Sequence, residues 1–113
     1  QVCDAVAVTW AQAHADVGDP ASVGPVLEAL VDAAHGNVHA VRQPVVPQSV
    51  PGSTPQAVAG RYRVRGKAPD GRPVDEVLLL FVRGTTVVQV TALGARLPDE
   101  AVDTFFGSVR AGP

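Results

Sequence analysis

The longest unbroken apolar stretch of the chain is Val77-Leu78-Leu79-Leu80-Phe81-Val82. It is too short to span a bilayer and fits a strand buried on both faces. Arg83 and Gly84 interrupt it, and glycine takes a positive φ in a tight turn at little steric cost. Residues 85–91 (TTVVQVT) are mostly β-branched, which favours strand over helix. The two runs predict a hairpin in the middle of a sheet. A two-residue turn at Arg83-Gly84 would set Leu80 opposite Val87 and Leu79 opposite Val88. Gln89 is the polar residue in the middle of the second strand, and a hydrogen-bonded amide or a place at the sheet margin is the simplest account of it.

Period-two alternation recurs in two other places. Residues 2–10 (VCDAVAVTW) put Val2, Asp4, Val6, Val8 and Trp10 on one face, and Cys3, Ala5, Ala7 and Thr9 on the other. A strand is predicted there, with an Ala-rich helix running on to Ala15 as the competing reading. Residues 57–67 put Val58, Gly60, Tyr62 and Val64 on one face, and Arg61, Arg63, Arg65 and Lys67 on the other. A further strand is predicted over 38–46, ending where Pro44 and Pro47 remove ladder donors. The turn APDGRP at 68–73 joins the Arg-bearing strand to the hairpin and places Arg65 near Glu76.

Helical spacing appears twice. Over 21–35, Val23, Leu27, Leu30, Val31 and Ala34 form one apolar stripe. Asp19 or Ser22 can cap it, and Gly36-Asn37 supplies a left-handed stop after His35. Over 97–110, Val102, Phe105, Phe106 and Val109 recur at i, i+3, i+4 and i+7, behind Pro98, Asp99 and Glu100 in the first turn. This closing helix should lie across the sheet and supply its aromatic core. Residues 12–20 and the proline-rich 47–56 (PQSVPGSTPQ) read as connections, the second as a mobile one. The expectation is one α+β domain over 1–113, of order β-α-β-β-β-β-α. About five mostly antiparallel strands would carry two helices packed on them.

Composition narrows the partners. A net charge of −2 leaves no broad basic footprint for nucleic acid. No apolar run approaches membrane-spanning length, so no transmembrane segment is expected. Gln1 is not an initiator, which points to a mature or trimmed form. Cys3 is the single cysteine, so an internal disulfide and a zinc set of CxxC type are excluded, and a buried free thiol is expected.

Each hint of catalysis has a simpler account. His14 and Asp16 can be drawn as a base with its orienting carboxylate, but no nucleophile motif accompanies them, and solvated loop residues are the default. Glu28 and Asp32 share a helix face without an ExxH partner. His35 and His39 have metal-pair spacing, but Gly36-Asn37 breaks the helix between them. Ser108 lacks a Gly-x-Ser-x-Gly context. No catalytic, metal or cofactor residues are assigned, and a non-enzyme is the preferred reading.

The hydrophobic hairpin at Arg83-Gly84, the strand VVQVTALG, and the closing helix with Phe105, Phe106, Ser108 and Arg110 carry a resemblance. In these features the chain resembles the C-terminal part of small exported bacterial domains of the PsbP-like superfamily. Those domains share a fold with a Ran-binding nuclear import factor, the photosystem protein PsbP and the actinobacterial LpqN lipoproteins. The likeness covers residues 57–110 well and 1–56 by element order. Such domains usually begin with a further β-hairpin, which this chain lacks, so a fragment or a smaller sheet is expected. The resemblance implies an antiparallel sheet with packed helices, export to the periplasm or cell envelope, and no catalysis. It carries over no site residues.

Three functional expectations follow. The first is a non-catalytic accessory domain that binds a protein or small ligand through Arg61, Arg63, Arg65 and Lys67 together with loop 47–56. The second is a ligand carrier or enzyme with a pocket between sheet and helices, lined by Trp10, Tyr62, Gln89 and Phe105, with His14 or His39 as its titratable group. The third is a homo-oligomer or other assembly formed through an exposed sheet edge.

Overall fold

The computed structural model describes residues 8–14, 16–38, 40–41, 43–56 and 59–110. Along them run β1 (Val8–Ala13), α1 (Pro20–Gly36), β2 (Gly60–Lys67), β3 (Pro73–Arg83), β4 (Thr86–Gly94) and α2 (Asp99–Gly107). The strands form one antiparallel sheet in the order β1-β4-β3-β2. The class is α+β, as the periodicities predict.

β3 lies inside the sheet, and every residue of its apolar run is buried. Its alternate side chains enter two separate cores. On one face, Leu78, Leu80 and Val82 join Tyr62 and Val87 beneath Val23, Leu27 and Val31 of α1. On the other, Val77, Leu79 and Phe81 join Val90, Ala92 and Leu97 beneath Val102 and Phe106 of α2. Helices on both faces are why this strand reads as continuously apolar rather than alternating.

The hairpin turn sits one residue later than expected. Arg83 pairs with Thr86, so Gly84 and Thr85 form the loop, with Gly84 at φ +65°. Leu80 therefore faces Gln89 and Leu79 faces Val90, instead of Val87 and Val88. The slip amounts to two positions along the partner strand, so each side chain keeps its predicted face.

Among the described residues the sheet has four strands rather than five. Over 38–46, the described residues make no ladder. Val46 bridges Arg61, and the Val38 carbonyl accepts from Lys67 N at 3.1 Å. With no donor at Pro44 or Pro47, the segment touches the edge of β2 at these points without pairing along it. His39 lies outside the described residues, as do Ala57 and Val58 at the start of the predicted Arg-bearing strand.

β1 begins at Val8, and the predicted positions 2–7, with Cys3, lie outside the described residues. The strand continues through Gln12 and Ala13, which were expected in a connection, and His14 N extends the ladder to the Val87 carbonyl at 2.9 Å. The competing helix is excluded for Val8–Ala13. Trp10, expected to line a pocket between sheet and helices, is 38% exposed.

α1 is capped as predicted by Asp19, whose side chain accepts from Ala21 N at 3.0 Å, with Pro20 following. Its end differs from the expected left-handed stop. Asn37 is right-handed, and the His35 carbonyl accepts from the N–H groups of Val38 and Ala40. Loop 47–56 is tied down rather than loose: Val50 is buried, Thr54 bridges Val82, and Ser53 Oγ donates to the Val50 carbonyl.

Candidate functional site

The Arg-bearing face of β2 turns towards α2. Arg63 reaches Asp75 through Nε at 3.0 Å and Nη2 at 2.7 Å, Asp99 through Nη1 at 2.7 Å, and the Leu97 carbonyl at 2.5 Å. Arg61 places Nε and Nη2 on Gln48 Oε1 and Nη1 on Asp103 at 2.7 Å, with its guanidinium 5.5 Å from the Phe106 ring centre. Gln48 Nε2 in turn donates to the Phe106 carbonyl at 2.8 Å. The two arginines thus fasten α2, the β4–α2 connection and loop 47–56 to the sheet. Of the four cations expected to offer a partner-binding face, Arg61 and Arg63 are turned inward to these bonds, with side chains only 20% and 24% exposed. Arg65, 67% exposed, and Lys67 remain open to solvent.

The spacing explains the fit. Arg61 and Arg63 are two strand residues apart, roughly 6.6 Å. Asp103 and Asp99 are four helix residues apart, roughly 6 Å. A strand of period two and a helix running the opposite way therefore present cations and carboxylates in step.

Asp75 is the acid that the sequence reading missed. Arg65 pairs with Asp75 in the ladder, while Glu76 stands opposite Val64, so the expected Arg65–Glu76 contact is replaced by Arg65 Nε to Asp75 Oδ1 at 3.7 Å. Burial alone would push the Asp75 carboxyl up. Hydrogen bonds from Arg63 and from Leu97 N, at 2.8 Å, with the charges of Arg63 and Arg65, outweigh it and hold the group below its ordinary value. Glu76, half-buried on the opposite face, is pushed up by burial.

The remaining candidates separate. His14 Nε2 donates to Gln89 Oε1 at 3.2 Å, and Gln89 Nε2 donates to Thr91 Oγ1 at 3.0 Å. The Gln89 amide is thus hydrogen-bonded, as expected. Asp16 accepts instead from the Thr85 hydroxyl and from Gly18 N, which lower its pKa, so it does not orient His14. Tyr62 is fully packed, edge-on to His35. His35 is itself buried: its Nδ1–H donates to the Val31 carbonyl at 2.8 Å and Nε2 accepts from Gln43 N. Phe105 packs on the other side of the sheet from Tyr62. The expected pocket of Trp10, Tyr62, Gln89 and Phe105 is therefore not assembled. Among the described residues, no group of three His, Cys, Asp or Glu side chains could hold a metal, and no helix is long and apolar enough to cross a membrane.

Two open features stand out among the described residues. An open cleft of about 840 Å³ lies at the end of the sheet where β2 finishes, β3 starts and α2 begins. It is lined by Arg65, Lys67 and Arg96 over Val74, Leu97 and Pro98. At the far edge of the sheet, every residue of β1 is exposed. His14 and Val87 form a hydrogen-bonded pair, so alternation directs the N–H and C=O groups of Thr9, Ala11 and Ala13 away from β4. Comparisons with protein-family models, curated proteins and solved structures returned no match.

Proposed function

We propose that this chain is a non-catalytic binding domain, an accessory unit of an exported bacterial envelope protein of the PsbP-like kind, and that it works by lending the open edge of β1 to another polypeptide strand. The observation that carries this reading is the contrast between the two edges of the sheet. β2 is obstructed by the Val46 bridge and the Val38 carbonyl and bears cations. β1, VTWAQA, bears no charge and no proline, and exposes Val8 and Trp10 beside outward backbone groups that have no partner among the described residues. Proteins that avoid edge pairing protect such strands, and an unprotected edge is suited to strand addition. The titratable groups support a non-catalytic role, because Asp16, His35, Arg61, Arg63 and Asp75 are all engaged in bonds that hold the fold.

The simplest donor of the added strand is a second copy, antiparallel about a two-fold axis, which would make a homodimer with one continuous sheet. Ala11→Pro removes an outward N–H and leaves the β4 ladder intact. Light scattering should show the wild-type chain associating and the A11P variant monomeric, with the same circular dichroism. A wild-type chain that stays monomeric at high concentration, with partner capture unchanged by A11P, would overturn the reading.

A further inference from the structure

The cleft at the α2 end of the sheet carries cations beyond those that the fold consumes. Asp75 and Asp99 both line it, and both are bound by Arg63. Three cations on its walls remain: Arg65, with only the 3.7 Å approach to Asp75, and Lys67 and Arg96, which make no ion pair among the described residues. Together with Arg63, this corner holds four cations against two carboxylates, in a chain whose net charge is −2. The positive field is thus local and not a property of the whole surface.

The walls are also fixed. Leu97 N donates to Asp75 and the Leu97 carbonyl accepts from Arg63, so the backbone beside Arg96 is held on both sides. Lys67 N is tied to the Val38 carbonyl at the other rim. Between them, Val38, Pro73, Val74, Leu97 and Pro98 provide apolar surface. The cleft volume falls within the ~300–1,000 Å³ usual for small-molecule sites.

We infer that this cleft binds a small organic anion carrying two or more negative charges on a compact apolar body. Arg65 and Arg96 supply planar forks for carboxylate or phosphate oxygens, Lys67 a point charge, and the Val74–Leu97 surface a seat for the body. The site is independent of β1 and stands or falls apart from the edge-pairing reading.

The test uses isophthalate, phenyl phosphate and the neutral isophthalamide, titrated into the full chain and followed by backbone amide shifts. Saturable shifts at residues 65–67 and 95–98 are expected with either anion and not with the diamide. Whether isophthalate or phenyl phosphate binds more tightly assigns the carboxylate or phosphate source. R65Q/R96Q should weaken anion binding by about tenfold or more. R72Q, which removes an exposed cation paired with Asp70 outside the cleft, should leave it unchanged. Absence of saturable shifts, shifts centred elsewhere, equal binding of the diamide, or equal loss in R72Q would each overturn the inference.

Discussion

Arg63 reaches past Val77, its own cross-strand neighbour, to grip both oxygens of the buried Asp75 carboxylate at 3.0 and 2.7 Å. The diagonal grip leaves Arg65, which faces Asp75 in the ladder, free to point into the cleft. The same guanidinium holds Asp99 and the Leu97 carbonyl, so one side chain joins two strands, a connection and a helix start. Removing it strands a buried carboxylate, which costs far more than losing a surface pair. Arg63→Met is expected to lower unfolding free energy by about 3 kcal/mol. The double variant R63M/D75N should recover part of that loss, because it leaves no uncompensated charge. Urea denaturation of the two variants measures both values.

Asp75 and Glu76 are adjacent in sequence, sit on opposite faces, and should respond to acid in opposite directions. The Asp75 pKa is lower in the folded chain than in the unfolded one. The unfolded state therefore takes up its proton first, and the stability contributed by the carboxylate is present above about pH 4 and lost as pH falls through the folded value. The Glu76 pKa is raised by burial, so keeping that group ionised costs stability at neutral pH. Glu76→Gln should stabilise the chain at pH 7, with the gain fading as pH falls through the raised folded value. Asp75→Asn should destabilise at pH 7 and converge on wild type in acid. Melting temperatures across pH 2–8 would show the two differences shrinking with opposite signs; like signs would contradict the assignment.

Two glycines mark where a side chain is disfavoured, for different reasons. A Cβ at Gly66 would overlap the Val38 carbonyl and side chain, the contact that closes the rim of the cleft. Gly66→Ala is expected to cost about 2 kcal/mol through displacement of that segment. At Gly84 a Cβ would meet open space, and only the φ of +65° opposes it. Gly84→Ala should cost about 1 kcal/mol. Amide exchange separates the two: G66A should loosen residues near Val38, whereas G84A should loosen the Gly84–Thr85 turn.

The elements were legible because each has one dominant period. β2 alternates cleanly, and Val23, Leu27 and Val31 mark the buried stripe of α1. The hairpin register was less legible because 77–82 carries no polar residue to fix its phase, and glycine suits either loop position. That the described residues of 38–46 make no ladder lies in Pro44 and Pro47, whose weight against Val38, Val45 and Val46 depends on how much β2 edge is free. The candidate surface was half legible. The alternation of Arg61, Arg63, Arg65 and Lys67 marked a basic face, but which of them α2 would neutralise depended on the antiparallel approach of Asp99 and Asp103. That pattern, one helix turn matched to two strand residues, was present in the chain and is a usable signal. Arg96 has no periodic context, and the cleft emerges only when residues 95–98 are brought against 65–67.

Phe105 and Phe106 are neighbours in sequence and 4.9 Å apart edge-to-face, yet they should differ sharply on truncation. Phe106 is fully buried in the core beneath α2, and its ring also lies under Arg61. Phe106→Ala removes a filled volume that the sheet cannot collapse into, so about 3–4 kcal/mol should be lost. Phe105 is partly exposed at the margin of that core, and Phe105→Ala should cost less than half as much. A double-mutant cycle between Arg61 and Phe106 isolates the cation–ring contact from the burial, with an expected coupling of about 0.5–1 kcal/mol. Arg61→Lys belongs in the cycle, because a lysine keeps the charge near Asp103 but cannot place a fork on Gln48. If R61K retained full stability, the arginine's role would reduce to charge alone, and the three-way tie of α2, loop 47–56 and β2 through this side chain would be refuted.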